Sequence, residues 1–284
     1  MPMDIDLLKT FLEVERVRHF GRAAERLYIT QSAVSARIRQ LEELLGVELF
    51  TRKRNDIQLT PAGRRLKQHA AAIINQWERA RQETGLGEAF RDVLAIGGLA
   101  DLWPTALENW LVRLQQALPD IALRGEAGAG DELVHRLLNG ALDIACVYDP
   151  PQVSEFSVRP LGVMELVLVT TEAGLTAAGA MAENYILVDW GTTFALDHAR
   201  RFPDLPAPAV HLAQGLLARD LLLRRPGAAY LPRQWLETDP RCAGRLHVVA
   251  DAPVLERTWY ALWRDNMARQ PLLEAALAAF PTPD

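Results

Sequence analysis

The sequence predicts an α/β protein that carries a small helical domain at its N-terminus, and three observations lead there. Apolar residues repeat at intervals of three and four over the first 45 positions, which is the helical period. After a short basic turn comes a further helical stripe of Leu66, Ala70, Ile73, Trp77 and Ala80. From residue 92 short apolar runs alternate with helical stretches, the pattern of a mostly parallel sheet with helices on both faces.

Ile5, Leu8, Phe11 and Leu12 define a first helix over about 4–17, and Ala23, Ala24 and Leu27 a second over about 21–27. The chain breaks at Tyr28-Ile29 and restarts at Thr30-Gln31-Ser32 as a third helix over about 31–45, with Val34, Ile38, Leu41 and Leu45 on one inward stripe. Gly46 suits the left-handed residue that closes a helix. Only three residues separate the second helix from the third, so the two must cross steeply, as in a helix-turn-helix. VELFTRKRNDIQLT then has strand-like ends around the basic Arg52-Lys53-Arg54, a two-stranded wing. Thr60-Pro61 places a hydroxyl at a helix cap and proline in the first turn. The helix it opens runs to about Gln82, roughly 33 Å, until Gly85 and Gly87 break it.

The alternating region falls into two series, the first from VLAIGGL to two separate strand-like runs, VRPLG and ELVLVTT, and the second from YILVDWG onward, which suggests two lobes with a cleft between them. The domain boundaries are accordingly 1–60, 61–90 and 91–284, with one lobe at about 91–163 plus 252–284 and the other at about 164–251.

Net charge is -5, unevenly spread. Residues 1–82 hold 15 basic and 10 acidic residues, the remainder 16 basic and 26 acidic, so a basic third is joined to an acidic two-thirds. That asymmetry is expected when one part meets phosphate. Cys146 and Cys242 are too few for a disulfide framework or a Cys/His metal site, which fits a reducing cytoplasm. MPMDIDLLKTF lacks an export signal's basic start, and no apolar run is long enough to span a membrane.

The polar restart of the third helix is what a reading helix requires, because its first turn reaches base edges in a major groove. Gln31, Ser32 and Ser35 are the candidate base readers, Arg37 and Arg39 the candidate phosphate contacts, and Arg52, Lys53 and Arg54 the backbone-tracking wing. The run FGRAAERLYITQSAVSARIRQLEELLGVELFTRKRNDIQLTPAG resembles the winged helix-turn-helix of LysR-type transcriptional regulators through AAxxL, TQSAVS, RxLEExLGVxLF and LTxAG. LPDIALRGEAGAGDELVHRLLNGALDIACVY and GAAYLP are similar to segments of that family's effector domain. Within the family, HFGRAAE and VDWGTTF resemble the branch of the flagellar master operon repressor.

The resemblance implies a regulator of promoters that binds double-stranded DNA as a homodimer through the linker helix, commonly as a homotetramer. Leu66, Ile73 and Trp77 would form the dimer seam, and RNA polymerase is a further candidate partner. It also implies a small-molecule effector held between two lobes like those of periplasmic binding proteins. Two departures stand out. Ala36 occupies a position where the family often has Arg, which moves the phosphate contact to Arg37 or Arg39, and the usually Ser/Thr-rich loop after the first effector strand reads GGLADLW.

Ligands in such sheets sit where strands end and helices begin, which selects Ala100, Asp101, Trp103, Gly128, Tyr148, Trp190, Thr192, Thr193 and Phe194. Asp101, read as the cap of its own helix, would repel an anion and favours a neutral or cationic effector, or none. No GxGxxG, GxxxxGK[ST] or HExxH occurs and the six histidines show no ligand spacing, so no catalysis, cofactor or metal is expected. The other readings are an architectural DNA binder without effector and, least favoured, a cleft enzyme.

Overall fold

The structure, a computed structural model, describes residues 4–53, 56–87, 89–265 and 269–281. The side chains of residues 52, 53, 56, 82 and 83 lie outside the described part, as does all of Arg54. Two compact units emerge, one essentially the first 87 residues and the other nearly all of the rest.

In the N-terminal unit α1 (Ile5–Val17) starts at Asp4, whose carboxylate accepts the Asp6 N–H at 2.9 Å. α2 (Phe20–Leu27) is capped by His19 and α3 (Gln31–Leu45) by Thr30, whose hydroxyl oxygen accepts from Ala33 N at 3.2 Å. Gly46 closes α3 at φ 68°, as its sequence position implies. Leu8, Phe11, Val14, Ala23, Val34, Ile38 and Leu41 bury completely and converge on one core with Leu49 and Phe50. Each large side chain among them contributes about 1.5–3 kcal/mol. Leu45, expected on the inward stripe, is exposed instead, because the turn at Gly46 carries the chain away before anything covers the last turn of α3.

The wing pairs β1 (Phe50–Lys53) antiparallel with β2 (Asp56–Leu59). Glu42 anchors it, since its Oε1 accepts the Leu49 N–H at 2.8 Å, which gives the first acid of LEELLG a structural role. α4 (Pro61–Thr84) follows, with Thr60 Oγ1 accepting from Gly63 N at 3.0 Å and donating to Glu48 O at 2.7 Å. Gly63 is required there, because a methyl group would stand 2.2 Å from the Leu49 carbonyl oxygen. Ala70 and Leu66 pack into the N-terminal core, and Lys67–Glu15 and Lys9–Glu78, both 2.8 Å, tie α4 to α1. Leu66 is therefore engaged within its own protomer, while Ile73 and Trp77 stand 42% and 49% exposed.

The second unit is built on a nine-stranded sheet ordered β4-β3-β5-β11-β6-β9-β7-β8, with β10 (His247–Val248) beside β6. One half comprises β3 (Asp92–Gly98), β4 (Ile121–Ala127) and β5 (Ile144–Val147), all parallel. The other comprises β7 (Tyr185–Val188), β8 (Val210–Leu212) and β9 (Ala228–Pro232), also parallel. The long strands β6 (Phe156–Thr170) and β11 (Leu255–Arg264) pair antiparallel with each other and join the halves. VRPLG and ELVLVTT, expected as two strands, are thus one strand of 15 residues, and the sheet is parallel only within each half.

Helices intervene between strands: α5 (Glu108–Ala117), entered through a π-helical turn at Trp103–Leu107, then α6 (Gly130–Leu138), α7 (Ala177–Ala182), α8 (Thr192–Arg201), α9 (Gly215–Leu222), α10 (Arg233–Thr238) and α11 (Gln270–Ala278). Their apolar faces and the strands share one core in which Trp110 is fully buried, its indole N–H donating to Ala276 O at 3.0 Å.

Candidate nucleic-acid interface and ligand cleft

At the start of α3, Gln31 and Ser32 are exposed and Ser35 is half-buried on the same side. Arg39 is exposed and makes no ion pair among the described residues. Arg37 has partners that the sequence did not show. Its guanidinium donates to Asp6 Oδ2 at 3.1 Å and Thr10 Oγ1 at 3.3 Å, so its charge is already matched and it staples α3 to α1. A half-exposed pair of this kind contributes about 0.2–1 kcal/mol, too little for core stability but enough to orient the side chain. Arg52 and Lys53 lie in β1 by backbone, but what their side chains do, and everything about Arg54, falls outside the described residues.

Three features of this surface were not read from the sequence. Tyr28, 95% exposed, holds left-handed φ 55° between α2 and α3, a conformation costing a side-chain-bearing residue roughly 1–2 kcal/mol. Arg18 and Arg22, at the α1–α2 corner, are exposed and make no ion pair among the described residues. His19 caps α2 by accepting the Arg22 N–H on Nδ1 at 3.2 Å, which makes Nε2 the protonated nitrogen. Gly21 lets the His19 ring fold back, with Gln31 Oε1 also near, since a methyl group there would lie 3.1 Å from the ring and 3.6 Å from that oxygen. The αL-prone turn after AAERL was the available signal.

In the second unit Asp101, Tyr148 and Trp190 come together, and the geometry corrects the sequence reading of Asp101. Its carboxylate caps not its own helix but α9, with Oδ2 accepting from Gly215 N at 2.9 Å and Oδ1 from Leu216 N at 3.0 Å. Burial raises the Asp101 carboxyl above its ordinary value, and those two N–H groups partly oppose the shift. Gly215 permits the approach, because a methyl group there would lie 2.3 Å from the Trp190 ring. Tyr148 packs edge-on to Trp190 at 6.2 Å, and its buried hydroxyl has no hydrogen-bond partner among the described residues.

Trp190 and Phe194, selected from the sequence as candidate ligand residues, are buried in the core. Trp190 donates to Tyr230 O at 3.0 Å, and Phe194 packs among His198 and Tyr230. Trp103 covers Gly125 and Gly98 and is half-buried. Ala100 is half-buried, Gly128 donates its N–H to Gly98 O at 3.2 Å, and Thr192 and Thr193 are exposed at the start of α8. Two residues that matter here were missed. Arg257, 3% exposed, donates Nε–H to Trp190 O at 2.6 Å, pairs with Asp149 and lies 5.2 Å over the Tyr148 ring. Asp149 in turn accepts the Thr192 N–H at 2.9 Å. The alternation of LERTWYALWR, with Leu255, Arg257 and Trp259 on one side, was the signal for Arg257.

A second buried titrating group sits beside this network. His198 Nε2 lies 2.7 Å from the Tyr185 hydroxyl, and burial pushes His198 below its ordinary value of 6.5 and Tyr185 far up, so the proton stays on the tyrosine. A depressed histidine means that the unfolded chain binds the proton more readily. The stability it leaves intact above pH 6.5 is lost as pH falls toward the depressed folded value. His198→Phe is expected to flatten the decline of the melting midpoint between neutral and mildly acidic pH. An unaltered slope would show that another group carries it.

Residues 5–64 match the family described as "Bacterial regulatory helix-turn-helix protein, lysR family", and residues 87–281 match the LysR substrate binding domain. The chain belongs to the LysR family of transcriptional regulators: a DNA-binding winged helix-turn-helix joined to a ligand-binding-type α/β domain, with no enzyme role. Among named relatives, HTH-type transcriptional regulator HdfR of Yersinia enterocolitica is 38% identical over 97% of this chain and 95% of its own length. HdfR of Salmonella dublin is 40% identical over 95% and 96%. These relatives agree with the branch expected from HFGRAAE and VDWGTTF.

Of solved structures, CbnR, a LysR family transcriptional regulator, superposes with TM-score 0.69 at 17% identity over 98% of this chain and all of its own. A full-length point variant of OxyR from Pseudomonas aeruginosa gives 0.57 at 22%, covering 99% and 100%. Both show the fold.

Proposed function

We propose that this regulator reads its operator with the first turn of α3, through Gln31, Ser32 and Ser35, while Arg39 and the wing residues Arg52, Lys53 and Arg54 hold the phosphates. We further propose that it works in the cytoplasm as a dimer or tetramer, and that it answers a small molecule bound in its α/β domain. The observation that carries the reading is the outward face of α3: Gln31 and Ser32 in its first turn and Arg39 two turns on are exposed, and Arg39 has no ion-pair partner among the described residues. CbnR has also been solved with its target DNA, and that structure superposes on this chain with TM-score 0.67. Arg37 is assigned to positioning, given its bond to Asp6.

Gln31→Ala and Ser35→Ala are each expected to cost about 1–3 kcal/mol at the preferred site and much less on scrambled DNA. Competition binding measures the ratio. Discrimination unchanged in both variants would remove α3 as the reader.

A further inference from the structure

Two helices of the regulatory domain, α8 and α9, present their N-termini where a ligand anion would ordinarily be welcome. Both are already taken by carboxylates from the opposite half of the sheet. Asp101, three residues beyond the end of β3, holds the N–H groups of Gly215 and Leu216. Asp149, two residues beyond the end of β5, holds the Thr192 N–H and pairs with Arg257. Arg257 is almost fully buried, so a cation and a helix N-terminus together make a complete carboxylate receptor, and the chain's own Asp149 fills it. The ends of β3 and β5 are also where sheets of this kind bind ligands.

We propose that Asp101 and Asp149 are built-in ligands that occupy the domain's two anion positions and hold its halves together with no acidic effector bound. This rests on reading the domain as the effector-binding one, and it sets the effector's class. Carboxylate and phosphate metabolites find their receptor filled. Among the described residues, two of the candidate ligand residues keep buried, unpartnered donors, the Tyr148 hydroxyl in its neutral form and the Trp103 indole N–H, which suit an uncharged molecule with an oxygen or nitrogen acceptor.

The test is chemical rescue on the full chain, using sodium formate and sodium acetate as probes against sodium chloride of equal ionic strength and neutral acetamide. The wild-type melting midpoint should be the same in formate, acetate and chloride. Asp149→Ala and Asp101→Ala should each melt lower, and formate or acetate, but not acetamide, should recover much of the loss. If Asp101→Ala fails to fold, Asp149→Ala decides, because the Asp149 side chain is 44% exposed and the group its removal leaves unpaired, the buried Arg257, is the cation that formate or acetate would pair again. If neither variant folds in chloride, recovery of soluble protein on refolding in formate counts for the proposal and its absence against. Stabilisation of the wild type by formate or acetate, or folded variants indifferent to both, would overturn it. The melts need no DNA, so their failure is separate from failure of the effector reading, which turns on whether any metabolite changes operator occupancy.

Discussion

A chain carrying glutamate at both Ile73 and Trp77 is expected to sediment as a monomer and to lose operator affinity by a factor of about 10²–10⁴. α4 is 24 residues long, about 36 Å, and it meets the N-terminal core along the face that carries Lys67, Ala70, Ile74 and Glu78. The neighbouring edge of the helix is bare, with Ile73 and Trp77 exposed one turn apart. Two such stripes packed together would remove both from water, and four glutamates at one seam would repel instead. The affinity loss follows because a dimer gains its second half-site at high effective concentration and a monomer does not. An unchanged mass in sedimentation would place the dimer contact elsewhere.

The second large effect is salt. If a dimer makes six to ten phosphate contacts, its affinity should fall by about 10³–10⁵ between roughly 50 and 200 mM salt, linearly on a log–log plot. Arg39, Arg18 and Arg22 are exposed cations of the N-terminal unit with no ion pair among the described residues, and Arg52, Lys53 and Arg54 extend the set in sequence along the wing. Arg54→Ala should weaken preferred and scrambled DNA alike and lower the slope by about 1 for each protomer. A flat salt dependence, or an Arg54→Ala defect confined to the preferred site, would contradict a phosphate role.

The DNA-binding unit was legible almost to the residue. Its signals are local: Thr30 reaches Ala33, Thr60 reaches Gly63, and Gly46 needs only its own positive φ. Periodicity likewise found the core of α1–α3, since a stripe of apolar residues must be buried by whatever lies nearest. It failed at Leu45, where burial depends on what the chain does after the helix.

The partners of Arg37 escaped for a related reason. Its bond to Asp6, 31 residues earlier, is a tertiary contact that no local pattern in α3 shows. In the regulatory domain the existence and type of the main elements were readable, but the break expected between VRPLG and ELVLVTT was not real. β11 pairs with β6 from Phe156 to Leu166, shifting register by one residue at Leu161, and keeps the strand extended, with the Trp259 indole against Gly162.

By itself the sequence determined that this protein has a basic winged helix-turn-helix, a long helix and an alternating α/β domain, because each follows from periodicity, caps and charge within a few residues. Only the tertiary structure decided where the buried charges go. Asp101 meets its partners 114 and 115 residues away, and Asp149 meets Arg257 at a separation of 108. A carboxylate costs free energy to bury until it finds donors. Those donors exist only once strands from both halves of the sheet have brought α8 and α9 into place.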